Sequence, residues 1–172
     1  MKLIDLNQTK KRHLIFDKPG RWRVVFKNLS GKLTFEIRQP GVNLKIEGIY
    51  QGKGKERFSL QTKQHHLAPN SQSNLIIKGV FDNQAQFAYQ GLVRIEKEAK
   101  NTQAQQKNQN LVLSPDCSID SQPFLEILNN QVTCAHAVNT APPNKEELFF
   151  LKNRGLTEKK AKKLIVKGFL EK

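Results

Sequence analysis

The run Gly31-Lys32-Leu33-Thr34-Phe35-Glu36-Ile37-Arg38-Gln39-Pro40-Gly41-Val42-Asn43-Leu44-Lys45-Ile46 decides how this chain is read. Leu33, Phe35 and Ile37 alternate with polar residues, and so do Val42, Leu44 and Ile46. Alternation with period two places the apolar side chains on one face of an extended strand. Pro40-Gly41 separates the two runs as a turn. Outward from here the pattern continues. Leu14 to Phe16 precedes Pro19-Gly20, and Trp22 to Phe26 precedes Ser30-Gly31. Gly20, Gly31 and Gly41 therefore punctuate short strands at about ten-residue spacing. That spacing suits an all-β sandwich, a jelly roll or a β-helix of stacked coils. Every apolar residue in Leu14 to Tyr89 is expected in the core.

Further along, Gln51 to Glu56 reads as a flexible basic turn, and its glycine pair makes no phosphate loop. Phe58 to Leu60 and Leu75 to Phe81 read as strands. His65 and His66 are neighbours, so on a strand they face opposite ways, and both are expected at the surface. Gln86 to Gln90 alternates, Gly91 breaks the run, and Leu92 to Ile95 resumes it. Glu96 to Asn110 is rich in Gln, Asn, Lys and Ala. Propensity alone suggests a helix or linker there, but apolar residues at helical spacing are lacking. Leu111 to Leu113 restores a strand. Cys117 is expected as a small residue near the core.

Two more strand patterns, Phe124 to Leu128 and Val132 to His136, flank Asn129-Asn130. Cys134 and His136 stand two apart, so they project from one face. A thiolate and an imidazole on one face can share a soft metal ion or take part in sulfur chemistry. Glu126 is expected to face outward between Leu125 and Ile127. Beyond Pro142-Pro143 the pattern turns helical. Asn144 with Glu147 makes a capping box for a helix from Lys145 to Asn153, which Gly155 stops. Thr157 caps a second helix, whose apolar face is Ala161, Leu164, Ile165 and Phe169.

The chain has 172 residues, 37% hydrophobic and 26% charged, with a net charge of +14. This is the composition of a globular protein with a modest core. No apolar run is long enough for a membrane helix. Residues Met1 to Asn7 lack the features of a signal peptide, so a cytoplasmic location and free thiols at Cys117 and Cys134 are expected. The charge favours an acidic partner. One function class it allows is a basic nucleic-acid-binding module using the terminal helices. There, Arg154 to Lys163 is similar in outline to hairpins that hold phosphate at a helix N-terminus. No Ser/His/Asp set, carboxylate pair or nucleotide loop supports an enzyme.

The motif order carries a resemblance. Gly79-Val80-Phe81-Asp82, Tyr89-Gln90-Gly91, Gln106 to Ser114, Pro123 to Ile127, Val132 to His136 and Leu148 to Leu156 together resemble the SufB/SufD family, scaffolds of SUF iron–sulfur cluster assembly. The likeness is closest to SufD and strongest over 75–172. It implies a mainly β fold: a right-handed parallel β-helix of the single-stranded solenoid type over 1–140, then a helical hairpin over 141–172. Residues 1–17, or else a second chain, are expected to cap the N-terminal end. The resemblance places Glu96 to Asn110 in a polar coil of the β-helix. It implies no enzymatic activity and no tightly bound cofactor, but a transient iron–sulfur cluster at Cys134 and His136, with Glu126 as a more distant neighbour. It implies a SufB-like subunit or self-association through the β-helix end near 123–137. It also implies a SufC-like ABC ATPase on the C-terminal helices, through Leu148, Phe149, Leu151, Arg154, Leu164, Ile165 and Phe169. Family members are usually more than twice as long, so a compact scaffold is expected. Ala137 stands where the family commonly has Gly.

Overall fold

The computed structural model describes residues 1–171; the last residue of the expected 141–172 segment, Lys172, lies outside the described residues. Eleven strands precede two helices: β1 (Lys2–Asp5), β2 (His13–Phe16), β3 (Gly20–Lys27), β4 (Gly31–Ile37), β5 (Val42–Gly52), β6 (Arg57–His66), β7 (Gln72–Phe81), β8 (Gln86–Ile95), β9 (Thr102–Val112), β10 (Ser118–Ile127), β11 (Val132–Ala141), α1 (Lys145–Asn153) and α2 (Glu158–Glu171). The odd strands form a six-stranded sheet and the even strands a five-stranded one, each in sequence order. Every pairing is parallel. A chain that visits two sheets alternately and always returns in parallel is a β-solenoid, in which two consecutive strands make one coil. This resolves the open choice among sandwich, jelly roll and β-helix in favour of the last.

Alternation drives the architecture. In β5, Val42, Leu44, Ile46, Gly48, Tyr50 and Gly52 point inward and are buried, while the residues between them are exposed or half-buried. The step between aligned residues grows from 20 between β1 and β3 (Lys2 to Trp22) to 32 between β8 and β10 (Gln86 to Ser118) and is 30 between β9 and β11 (Thr102 to Val132). One corner of the coil is held by a backbone ladder. Gly20 donates to Gly41, Gly41 to Asn70, and Asn101 to Gln131. Gly20, Gly41, Asn70 and Asn101 all have positive φ, a conformation that Gly adopts freely and Asn tolerates better than other residues. The sequence reading found the glycines at this corner and missed the asparagines. Residues 1–17 supply β1 and β2, the first strand of each sheet, and Leu6 beyond β1 is fully buried.

The interior changes along the axis. Phe26, Tyr50, Phe58, Phe81, Phe87 and Tyr89 form a connected set of rings, with Tyr50 and Phe87 at 4.5 Å between centroids and Phe81 and Phe87 at 5.3 Å. Toward the C-terminal coils it becomes polar: Thr62, Gln64, His66, Ser71, Ser73, Thr102, Gln106, Asn108 and Asn110 are all buried.

Four expectations need correction. His66 is fully buried, with Nδ1 2.8 Å from Ser71 Oγ and Nε2 2.7 Å from Ser73 Oγ. It faces inward because it ends β6 in the same parity as Leu60, Thr62 and Gln64. Gly91 does not break its run, since β8 continues through it. The helix or linker that propensity suggested for Glu96 to Asn110 is instead largely β9, as the family resemblance implied. Ile15, 44% exposed beside Glu36, and the exposed Ala88 lie on the outer face and not in the core.

Both helices form as the capping residues require. Asn144 Oδ1 accepts from the Glu146 and Glu147 amides at 2.8 and 3.4 Å. Gly155 (φ 83°) and Leu156 donate back to Lys152 and Leu151, closing the helix in a Schellman arrangement. Thr157 Oγ1 accepts from the Lys160 amide. Among the described residues, no helix is long and apolar enough to cross a membrane.

Candidate functional site

Cys134 and His136 lie on β11, the outermost strand of the odd sheet. Cys134 aligns with Ala104 and His136 with Gln106. Both of those β9 residues are buried and inward-facing, so parity turns Cys134 and His136 toward the solenoid axis. No further coil covers them among the described residues. Cys134 is half-buried and packs on a small apolar floor of Val93, Ile95, Ala99 and Ala104. His136 is exposed.

The environment of Cys134 is not activating. Burial pushes its thiol above the ordinary range. A low-pKa thiol needs an adjacent cation, a metal or a helix N-terminus, and the floor beneath Cys134 is apolar. Cys117 is also a free thiol. It sits at a turn against the aromatic core, where burial again raises its pKa. No group of three or more His, Cys, Asp or Glu side chains among the described residues could hold a metal ion. Cys134 and His136 are thus at most two ligands of a larger set.

Glu126 stands elsewhere. It lies on β10 with its side chain on the outer face, bonded to Arg94 at 3.1 Å. It ends a column in which Glu36, His65, Arg94 and Glu126 align on successive coils. Glu96 joins this column, at 2.6 Å from Arg94 and 2.8 Å from His65. Hydrogen bonds from Arg94 and then His65 hold its carboxyl down at about 2. The structure therefore brings Cys134 and His136 together and leaves Glu126 on the other side of the even sheet.

The end of the solenoid around this pair is apolar and exposed. Leu125, Ile127 and Val138 continue inward-facing rows and are 38, 40 and 40% exposed. The two end strands differ at their free edges. The Ser118 and Leu128 amides donate to Ala85 and Ile95. By alternation the nitrogen of Pro123 faces the free edge of β10, where it offers no donor. β11 contains no proline. The sequence reading missed this rim, although Leu125, Ile127 and Val138 could have been found as inward positions with no later strand to cover them.

The helices divide the expected docking residues. Leu151, Leu164 and Ile165 line an open apolar groove of about 510 Å³ with Phe150, Glu146 and Glu147. Phe149 and Phe150 are 67 and 53% exposed. Arg154 lies 4.1 Å from the centre of the Phe150 ring. Leu148 instead lines a cleft against Val112, Cys117 and Pro142. Phe169 is held to the solenoid by Lys78, whose Nζ donates to its carbonyl at 2.8 Å and lies over its ring. Phe150, absent from the sequence expectations, belongs to the groove because it stands three and four residues after Glu147 and Glu146 on one helix face.

Residues 21–169 match the family model for the SufBD core domain of SUF-system FeS cluster assembly. The chain is 30% identical over 173 residues to an iron–sulfur cluster assembly SufBD family protein of Staphylococcus aureus (strain USA300), a match covering 96% of this chain and 36% of the relative. It is 29% identical, with the same coverage, to a protein of that description from Staphylococcus saprophyticus. The chain thus spans little more than a third of the length of the curated relatives it matches.

Proposed function

The chain belongs to the SufBD family of SUF-system iron–sulfur cluster assembly proteins, and from that premise we propose that it is a compact SufD-like scaffold, not an enzyme, that presents Cys134 and His136 to a nascent cluster. A second subunit, SufB-like or another copy of this chain, caps the open end of the solenoid and supplies the remaining ligands. The cluster is cargo and not a resident cofactor. A SufC-like ABC ATPase docks on the groove of α1 and α2. The work is expected in the cytoplasm.

One observation carries this reading: Cys134 and His136 share the inward face of the last strand, where no further coil among the described residues covers them. A four-ligand cluster needs two more donors, and an uncovered end gives them room to arrive from another chain. The raised pKa of the Cys134 thiol fits the same division of labour. Alone the thiol stays protonated near neutrality. An approaching iron or a partner's cation would draw it to thiolate. The exposed ring of Leu125, Ile127 and Val138 gives such a partner apolar surface to bury, worth about 25 cal/mol per Å². Edge pairing is open at β11 and interrupted at β10 by Pro123, which favours β11 as the strand a partner extends. The basic-hairpin reading rests on the net charge and the outline of Arg154 to Lys163, and among the described residues no contact of α1 or α2 favours it.

The test is anaerobic reconstitution with ferrous iron and sulfide in the presence of a SufB-type subunit. Wild-type protein is expected to accumulate cluster absorbance, and Cys134→Ala to lose most of it. Equal yields from the two would remove the thiol from the reading.

A further inference from the structure

Gln106 is 3% exposed, and its side-chain oxygen Oε1 has no hydrogen-bond partner. A buried acceptor left unmet calls for an explanation. The nitrogen end of the amide is wedged across the interior: a β-carbon on Gly91 would lie 2.0 Å from Gln106 Nε2 and 2.3 Å from the Tyr89 hydroxyl. Only glycine at 91 leaves room for this carboxamide. Along the odd sheet, Gln106 has two aligned neighbours, Leu75 on the coil before and His136 on the coil after. Leu75 has no donor. His136 has an imidazole N–H and stands directly over Gln106 on the same inward face.

We infer that Gln106 is a positioning residue for His136. Its Oε1, unpaired in this structure, accepts from Nδ1–H of the imidazole once Nε2 holds a soft cation, the iron of a nascent cluster. A histidine ligand commonly donates its other ring N–H to such an acceptor, which fixes the tautomer and raises the basicity of the ligating nitrogen. In a parallel solenoid the side chains of aligned residues stack at the strand spacing of ~4.8 Å, so the partner of a ligand on the last coil is expected on the coil below. The inference rests on reading Cys134 and His136 as a metal-directed pair.

The full chain, titrated with cobalt(II) alone, separates the two claims. Gln106→Met keeps the volume and removes the acceptor. It is expected to keep the melting temperature of the wild type and to bind cobalt about tenfold more weakly. Gln106→Glu restores an acceptor and is expected to restore binding. In nitrogen-15 NMR of the zinc-loaded protein, His136 is expected as the Nδ1–H tautomer in the wild type and to lose that preference in Gln106→Met. Unchanged affinity and tautomer in Gln106→Met, with weakened binding in His136→Ala, would overturn the role of Gln106 alone. If His136→Ala binds cobalt as the wild type does, the pair itself fails. Should Gln106→Met not fold, an Nε2–H tautomer in the zinc-loaded wild type overturns the inference by itself.

Discussion

The coils from β3 to β8 and those from β9 to β11 share one backbone plan and fill it in opposite ways. The earlier coils close mostly over a set of aromatic rings and Leu, Ile and Val side chains that are almost fully buried, and turn polar at Thr62, Gln64, His66, Ser71 and Ser73 at one end of β6 and β7. The later ones carry Thr102, Ala104, Gln106, Asn108 and Asn110 on the inward face of β9. They end on Cys134, His136 and Val138, with Val138 40% exposed. A parallel stack needs a cover at each end, because inward residues of a terminal coil have packing on one side alone. The aromatic half has its cover in the next coil. The polar half, among the described residues, does not. The same strand geometry thus yields a stabilising core in one region and an uncovered surface in the other.

The comparison can be broken most sharply by truncation. Phe87→Ala removes a ring that contacts Tyr50, Phe81 and Tyr89 and is expected to cost about 3–5 kcal/mol of unfolding free energy in urea. Val138→Ala, on the open coil, is expected to change it by less than ~0.5 kcal/mol. Equal losses would erase the distinction between the halves.

Acid tests the boundary between them. His66 is fully buried among hydroxyls, and burial, then the neighbouring charge of His65, lowers its pKa from 6.5 to about 4. The folded-state value lies below the unfolded one, so the unfolded chain takes up this proton first. The stability linked to His66 is fully present above pH 6.5 and is lost as pH falls toward 4, by about 3 kcal/mol. His66→Gln is expected to flatten that part of the stability curve relative to wild type. Parallel curves for the two proteins would show that the polar interior is hydrated and not a packed core. A smaller effect is expected at Gly91→Ala. The added methyl collides with Gln106 and Tyr89, and a loss of about 1–3 kcal/mol by thermal melting is the expected outcome. A neutral result would mean that Gln106 swings freely.

The sequence made the first half of the fold legible and the second half less so. Leu33, Phe35, Ile37, Val42, Leu44 and Ile46 announce their strands because their inward positions are apolar. β9 does not, because Gln106, Asn108 and Asn110 alternate with other polar residues and period two leaves no hydropathy trace. Resemblance of motif order recovered it where pattern could not. His66 was misread for the same reason: adjacency to His65 implied opposite faces, which is correct, but a histidine facing serines inside a solenoid looks from sequence like one facing water. Gly91 marked a close approach inside a strand, a use of glycine that a break also explains. At the site, the shared face of Cys134 and His136 was legible from spacing. The acceptor beneath His136 was not, since alignment between coils appears only once the register is known.

The most direct test of the open-end account is the alkylation rate of Cys134 against that of Cys117, with and without a SufB-type subunit. Cys117 lies at the turn before β10, packed on a different core cluster from Cys134, and serves as an internal reference. The account predicts that adding the subunit slows alkylation of Cys134 at least tenfold and leaves Cys117 unchanged. An unchanged rate at Cys134 in a complex shown to have formed would contradict it.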